Sequence, residues 1–143
     1  MKKLIVTAVF TIFSLSVFAQ TNNSKLPEKA QNYISEYFSS DLITEVEENS
    51  QWKVWEDEKF EVRLSNGIEI DFDENGNALE IDSKGEESLP LEALPEKLAQ
   101  YLQENYPDSQ VKSWEKDRKA HEIELTNDVE LEFNSEGEFV KID

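Results

Sequence analysis

The 143-residue chain contains no cysteine. That absence excludes disulfides, zinc–thiolate centres, thiol catalysis and a lipid-modified N-terminal cysteine. Histidine occurs once, as His121, with no second histidine to complete a metal site or an acid–base pair, so it reads as an ordinary strand-end residue. Basic residues are scarce: 14 Lys and Arg stand against 32 Asp and Glu, a net charge of −18. Such a surface repels a phosphate backbone and excludes nucleic acid as a partner. No Gly-x-Ser-x-Gly elbow, phosphate loop or dinucleotide fingerprint is present. Acidic pairs such as Glu47-Glu48 and Glu86-Glu87 abound, and nothing marks one of them as a catalytic dyad with separated pKa values. The expectation is a protein that is not an enzyme and needs no cofactor.

Long apolar runs are also missing, except for residues 4–18, which follow Lys2 and Lys3. This run is shorter than the roughly 18–20 residues of a membrane span and has no stop-transfer charges behind it. Val17-Phe18-Ala19 closes it with a small residue at its end. Residues 1–19 therefore read as a signal peptide cleaved between Ala19 and Gln20, with a periplasmic or secreted product and no membrane insertion after cleavage. Loss of Lys2 and Lys3 takes the net charge from −18 to −20. Residues 20–143 suffice for one domain that buries about two-thirds of its unfolded surface.

What the chain does have is repetition. Residues 67–82, GIEIDFDENGNALEID, alternate Ile68, Ile70 and Phe72 with Glu69, Asp71 and Asp73, turn at Asn75-Gly76, and return through Leu79 and Ile81. This is a β-hairpin pattern, and residues 128–143, DVELEFNSEGEFVKID, repeat it. Leu26-Pro27-Glu28-Lys29 opens a helix whose apolar stripe is Leu26, Ala30, Tyr33, Ile34 and Tyr37. The same four letters return at Leu94-Pro95-Glu96-Lys97, followed by Leu98, Tyr101 and Leu102. Strand-like segments at residues 42–47 and 60–64, and again at 111–116 and 121–125, lie between each helix and its hairpin. The fold class expected is α+β, a tandem duplication of α-β4 units with helices packed on one face of an antiparallel sheet. The two repeats span 26–82 and 94–143, joined by a linker over 83–93 in which Leu89-Pro90-Leu91 forms an apolar latch.

The spacing of the copies is unequal. Helix starts lie 68 residues apart, but Ile68 and Val129 only 61. The first repeat thus holds seven extra residues, either within residues 49–59, NSQWKVWEDEK, or further upstream if Lys53-Val54-Trp55-Glu56 matches Lys112-Ser113-Trp114-Glu115. Val62, Leu64, Ile68, Ile70, Phe72, Leu79 and Ile81 are the inward candidates. Ile123, Leu125, Val129, Leu131, Phe133, Phe139 and Ile142 are their counterparts. Glu61, Arg63, Glu69, Asp71, Glu122, Glu124, Glu130 and Glu132 fall on the other face.

The run from Leu-Pro-Glu-Lys through a Tyr-containing helix to EVRLSNGIEIDFDENGN resembles the PepSY-like, β-lactamase-inhibitor-protein-like (BLIP-like) family of secreted bacterial domains. The resemblance covers residues 26–143. It implies tandem α-β4 units forming one concave sheet with helices on the convex side, and a protein-binding or inhibitory role. The chain departs from the inhibitor in lacking cysteines and in being far more acidic, so β-lactamase is not the expected target.

Two sets of residues are candidates for binding. Trp52, Trp55 and Trp114, with Glu69, Asp71, Glu130 and Glu132, would meet a protein bearing a basic patch. Trp114 aligns with Val46 through the helix spacing, and burial under the helix is the competing reading for it. Asp71, Asp73, Asn75 and Asn77, with Asp82 at the twelfth place, follow the spacing of a calcium loop. Here alternating strands run through the loop, so an ordinary turn explains the pattern and weak calcium binding is the alternative. A structural envelope accessory without a discrete ligand is the third reading. Intact mass of the protein recovered from the periplasm should place its first residue at Gln20; a membrane-bound form retaining Lys2 and Lys3 would contradict the signal-peptide reading.

Overall fold

The computed structural model describes residues 25–49 and 57–143. Helix α1 (Glu28–Tyr37) is followed by strands β1 (Ile43–Glu48), β2 (Phe60–Leu64), β3 (Ile68–Phe72) and β4 (Ala78–Ser83). Helix α2 (Glu96–Asn105) precedes β5 (Val111–Lys116), β6 (Ala120–Leu125), β7 (Glu130–Asn134) and β8 (Phe139–Ile142). All eight strands form one antiparallel sheet in sequence order. The protein is thus an α+β fold of two helices on an eight-stranded antiparallel sheet. Each helix begins one residue later than its proline: Pro27 and Pro95 stand just outside, with carbonyls that accept from Gln31 and Ala99. Neither proline has an N–H to leave unsatisfied at that position.

The core is built from a row of apolar residues that crosses the entire sheet. Val46, Val62, Ile70, Ile81, Trp114, Ile123, Leu131 and Ile142 are successive cross-strand partners. Ala30 and Ile34 of α1, and Leu98 and Leu102 of α2, are buried in the same cluster. Tyr33 packs edge-on against Phe72 with ring centroids 5.9 Å apart, and Tyr101 against Phe133 at 5.2 Å. Each helix is also tied to a hairpin tip. The Lys29 ammonium donates to Asn77 Oδ1, and Lys97 Nζ donates to the Glu136 carbonyl at 2.9 Å. The Leu-Pro-Glu-Lys motif and the turn motif, far apart in the chain, therefore meet in space.

Register bears on the two placements of the seven extra residues. Val46 pairs with Val62, and Trp114 pairs with Ile123. Val46 and Trp114 thus occupy matching places in β1 and β5, and the additional residues fall between β1 and β2. The alternative alignment rests on residues 53–56, which lie outside the described residues. The same pairing corrects the inward set at one position. In β4, Asp71 faces Glu80 while Phe72 faces Ala78, so Leu79 is the extra residue of a β-bulge and Ala78 takes the inward place. Phe139 and Ile142 do lie on the helix side, yet they remain 38% and 53% exposed because β8 is the sheet's edge. Ser83, expected in the linker, belongs to β4 and is buried, while Leu89 of the latch is buried and bonds to Val111.

His121 takes part in the core. It lies near the start of β6, as expected, and is buried there, paired with Phe133. Its Nδ1 accepts from Trp114 Nε1 at 3.3 Å, and the two rings stack. Burial and the Lys116 charge push its pKa down, which suits the neutral ring that such an acceptor requires.

Gly76 and Gly137 both adopt φ of +80° at the hairpin tips. A Cβ on Gly76 would lie 2.8 Å from the Ala30 backbone nitrogen, whereas one on Gly137 would meet only side chains, nearest Leu98 Cδ1 at 3.1 Å. Gly137→Ala should therefore cost about 1–2 kcal/mol for the left-handed backbone alone. Gly76→Ala should cost at least about 1 kcal/mol more, because helix backbone must move; equal losses in urea denaturation would show that the helix does not press on the turn.

Candidate functional site: the carboxylate face

Alternation places acidic residues on the sheet face away from the helices, and register lines them up. Glu47, Glu61, Asp71, Glu80, Glu115, Glu122 and Glu132 are successive cross-strand partners on β1 to β7, and the row ends at Lys141 on β8. A second row runs beside it through Glu45, Arg63, Glu69, Asp82, Ser113, Glu124 and Glu130. Directly opposed side chains lie about 5 Å apart. Two like charges at that distance repel by about 0.8 kcal/mol even at the dielectric of water.

Compensation falls on the second row and on the two ends of the first. Arg63 bonds to Glu45 at 2.6 Å, Glu69 at 3.3 Å and Glu47 at 3.4 Å, and it also reaches Glu61. Lys112 pairs with Glu124 at 2.7 Å and Lys141 with Glu132 at 3.4 Å. Asp71, Glu80, Glu115 and Glu122, in the middle of the first row, have no ion pair among the described residues. Burial, reinforced by the Glu58, Glu80, Glu61 and Glu69 charges, pushes the Asp71 pKa up to about 7. Glu80 and Glu122 are raised for the same two reasons, burial first and neighbouring carboxylates second. Glu58, which precedes β2, brings a carboxylate oxygen within 4.8 Å of those of Asp71 and Glu80.

The structure distributes the expected site residues unequally. Glu69, Asp71, Glu130 and Glu132 all lie on the carboxylate face, as alternation predicts. Trp52 and Trp55 lie outside the described residues. Trp114 is 3% exposed, which corrects its place among the surface anchors. With Tyr33 and Tyr37 of α1 it lines a cleft of about 690 Å³ on the helix side. The five residues with calcium-loop spacing do not converge. Asp73 Oδ1 accepts from the Asn75 and Asn77 amides, and Asn77 Nδ2 donates back to Asp73 Oδ2. Asn134 holds the second turn in the same way through the Glu136 and Glu138 amides. Asp71 faces Glu61 and Glu80 instead, and Asp82 pairs with Glu69 and Lys84. The spacing belongs to a turn: Asp73, Asn75 and Asn77 are bonded to one another at its tip, while Asp71 and Asp82 stand in separate cross-strand rows of the sheet.

Glu58, Glu80 and Glu115 are the site residues that sequence reasoning did not single out. The outward direction of Glu80 and Glu115 follows from alternation, but their alignment with Asp71 requires the bulge at Leu79 and the β4–β5 pairing, and Glu58 precedes β2 on the parity of the buried Phe60, so no local pattern announces its place beside them.

The raised Asp71 pKa has a defined sign. Its neutral form suits the fold, so the stabilisation is complete below the unfolded value of 3.8 and is lost as pH rises through about 7. Asp71 is half-buried, so screening leaves an effect of order 1 kcal/mol. Asp71→Asn should therefore raise the melting temperature by roughly 3–6 °C at pH 8 and change it little at pH 4. A variant that melts lower than the parent at pH 8 would show that Asp71 is held by favourable contacts as its anion.

The family described as "Putative beta-lactamase-inhibitor-like, PepSY-like" matches residues 58–141. No curated protein matches the chain. Three crystal structures superpose closely. A "putative calcium-regulated periplasmic protein" from Bacteroides thetaiotaomicron is 32% identical, with a TM-score of 0.72 over 84% of this chain and 91% of that one. A "putative periplasmic protein" from Bacteroides vulgatus is 26% identical with the same TM-score and coverage. A second B. vulgatus protein, of unknown function, is 30% identical, with a TM-score of 0.68 over 85% and 94%. These neighbours are described as periplasmic or, in the family's case, inhibitor-like, and the family is not a known enzyme family. No helix among the described residues is long and apolar enough to cross a membrane. With its eight-stranded sheet, its two proline-led helices and this match, the chain belongs to the PepSY-like, β-lactamase-inhibitor-like family.

Proposed function

We propose that the protein is a non-catalytic periplasmic module that binds a basic protein surface through the carboxylate face of its sheet and thereby inhibits or modulates an envelope or secreted protein. The observation that carries this reading is the row of seven carboxylates in register from β1 to β7. Stacked like charges reduce the stability of the free protein, and a cationic partner would relieve the strain in proportion to the charge it brings. In this proposal the connection between β1 and β2, with Trp52 and Trp55, supplies apolar anchors beside the charged rows. The chain's two α-β4 halves derive from a duplication, residues 1–19 direct export, and residues 20–143 form the working domain. Matching registers in the halves, with Val46 in the place of Trp114, support the duplication.

Charge specificity on the face can be separated from net charge. A synthetic lysine-rich peptide serves as probe, with anisotropy read at about 0.05 M and about 0.5 M salt. The triple variant Asp71→Asn, Glu115→Gln, Glu122→Gln should weaken binding at least about tenfold at low salt. Removing the same number of charges elsewhere, by Glu36→Gln, Glu86→Gln and Glu104→Gln, should weaken it less than about threefold. Equal losses in the two variants would reduce the interaction to bulk charge and sink the proposal.

A second reading is favoured by a specific observation. Glu58, Asp71 and Glu80 gather three carboxylates within ligand distance of one another, and the B. thetaiotaomicron relative is described as calcium-regulated. Oxygen donors of this kind suit a hard divalent cation. In this reading calcium sits on the sheet face near Asp71 and not in the turn of Asp73, Asn75 and Asn77. Millimolar calcium should then raise the melting temperature of the parent and of Asp73→Asn, which keeps the turn in the manner of Asn134, but not of Asp71→Asn. Absence of any shift in the parent would remove calcium from the account.

A further inference from the structure

The large apolar side chains left exposed among the described residues are Phe139, Val140 and Ile142, at 38%, 52% and 53%, and all three belong to β8. The two edges of the sheet differ. On β1 the exposed residues are Thr44, Glu45, Glu47 and Glu48, the charged kind of edge that discourages further pairing. On β8 the only charge is Lys141. Glu130 and Asp143 exchange both backbone hydrogen bonds, at 3.3 and 3.0 Å. Alternation of the antiparallel ladder therefore turns the N–H and C=O of Ile142 outward, away from β7.

We propose that β8 pairs antiparallel with β8 of a second copy of this chain, about a two-fold axis through Ile142, joining two sheets into one. In that register Ile142 faces the partner's Ile142 and exchanges two backbone hydrogen bonds with it. The apolar row that runs from Val46 to Ile142 then continues without interruption into the second copy. Lys141 falls opposite the partner's Asp143, and Asp143 opposite the partner's Lys141. Both flanking pairs are of opposite charge, which is the favourable arrangement for directly opposed residues. The competing geometry, with β8 docked on β1 of another copy as β4 docks on β5, would set Asp143 against Glu45 and generate an open chain of molecules. A ladder this short has a precedent within the molecule, since β4 and β5 are joined by three pairs, Glu80 with Glu115, Ile81 with Trp114 and Asp82 with Ser113. Phe139, stacked on Tyr101 at 4.9 Å, extends the apolar surface beside the contact.

Each copy carries a net charge of −18, so long-range repulsion opposes pairing and salt should strengthen it. That is opposite in sign to the salt response of a basic partner on the carboxylate face, which keeps the two proposals separable. Sedimentation equilibrium of the purified protein from about 10 μM to about 1 mM should show a monomer–dimer equilibrium that tightens about tenfold between about 0.05 M and 0.5 M salt. Ile142→Lys should weaken the dimer at least about tenfold, and Lys141→Asp should do the same by opposing like charges. The double variant Lys141→Asp, Asp143→Lys reverses both pairs and should restore dimerisation, with thermal melts confirming that each variant folds. A monomer at every concentration, assembly beyond the dimer, or a dimer indifferent to Ile142→Lys and unrestored by the double variant would overturn the proposal.

Discussion

Backbone pairing between β4 and β5 is the contact on which the rest of the molecule depends. It is only three residue pairs long, yet it joins the first four strands to the last four and aligns both faces at once. On one side Ile81 meets Trp114, which makes the apolar rows of the two halves continuous and lets both helices share one core. On the other side Glu80 meets Glu115, which makes the acidic rows continuous as well. Neither face could be changed at this joint without changing the other, because a strand sends successive side chains to opposite faces and a one-residue slip would exchange them.

This coupling explains how so acidic a face can exist. Repulsion along the carboxylate row is spread over exposed or half-exposed groups, where water and nearby Arg63, Lys112 and Lys141 moderate it. Burial of Ile70, Ile81, Ile123 and Leu131 behind the same backbone is complete, and each such side chain contributes about 1.5–3 kcal/mol. The hydrophobic face holds the register, and the acidic face is carried by it. Asp71 shows the tension most directly, since its pKa near 7 places it at the margin between charge and neutrality.

The two halves follow one plan with different fillings. Where the first half has Val46 and Phe60, the second has Trp114 and His121, which bond to each other. Ala78 in the first half corresponds to Phe139 in the second, each opposite a phenylalanine of the preceding strand. Strand β4 is covered by β5, whereas β8 stands at an edge of the sheet among the described residues, so equivalent residues are buried in one half and exposed in the other. The longer connection between β1 and β2 adds a further difference, and its described end reaches across to the second half where Arg118 forks onto Asp57.

Local pattern by itself determined the elements. Proline followed by acid began both helices, strict alternation marked the strands, and Asx-Gly and Glu-Gly marked the turns, because each depends on residues a few positions apart. Alternation likewise assigned Glu69, Asp71, Glu130 and Glu132 to one face. What only the tertiary structure decided was how those elements are aligned. The bulge at Leu79, the burial of Trp114 against His121, the exposure of Phe139 and Ile142, and the meeting of Glu58, Asp71 and Glu80 all depend on which strand lies beside which. Strand neighbours are chosen by the packing of the whole apolar face, and that sum over many distant contacts leaves no mark in any short stretch of the chain.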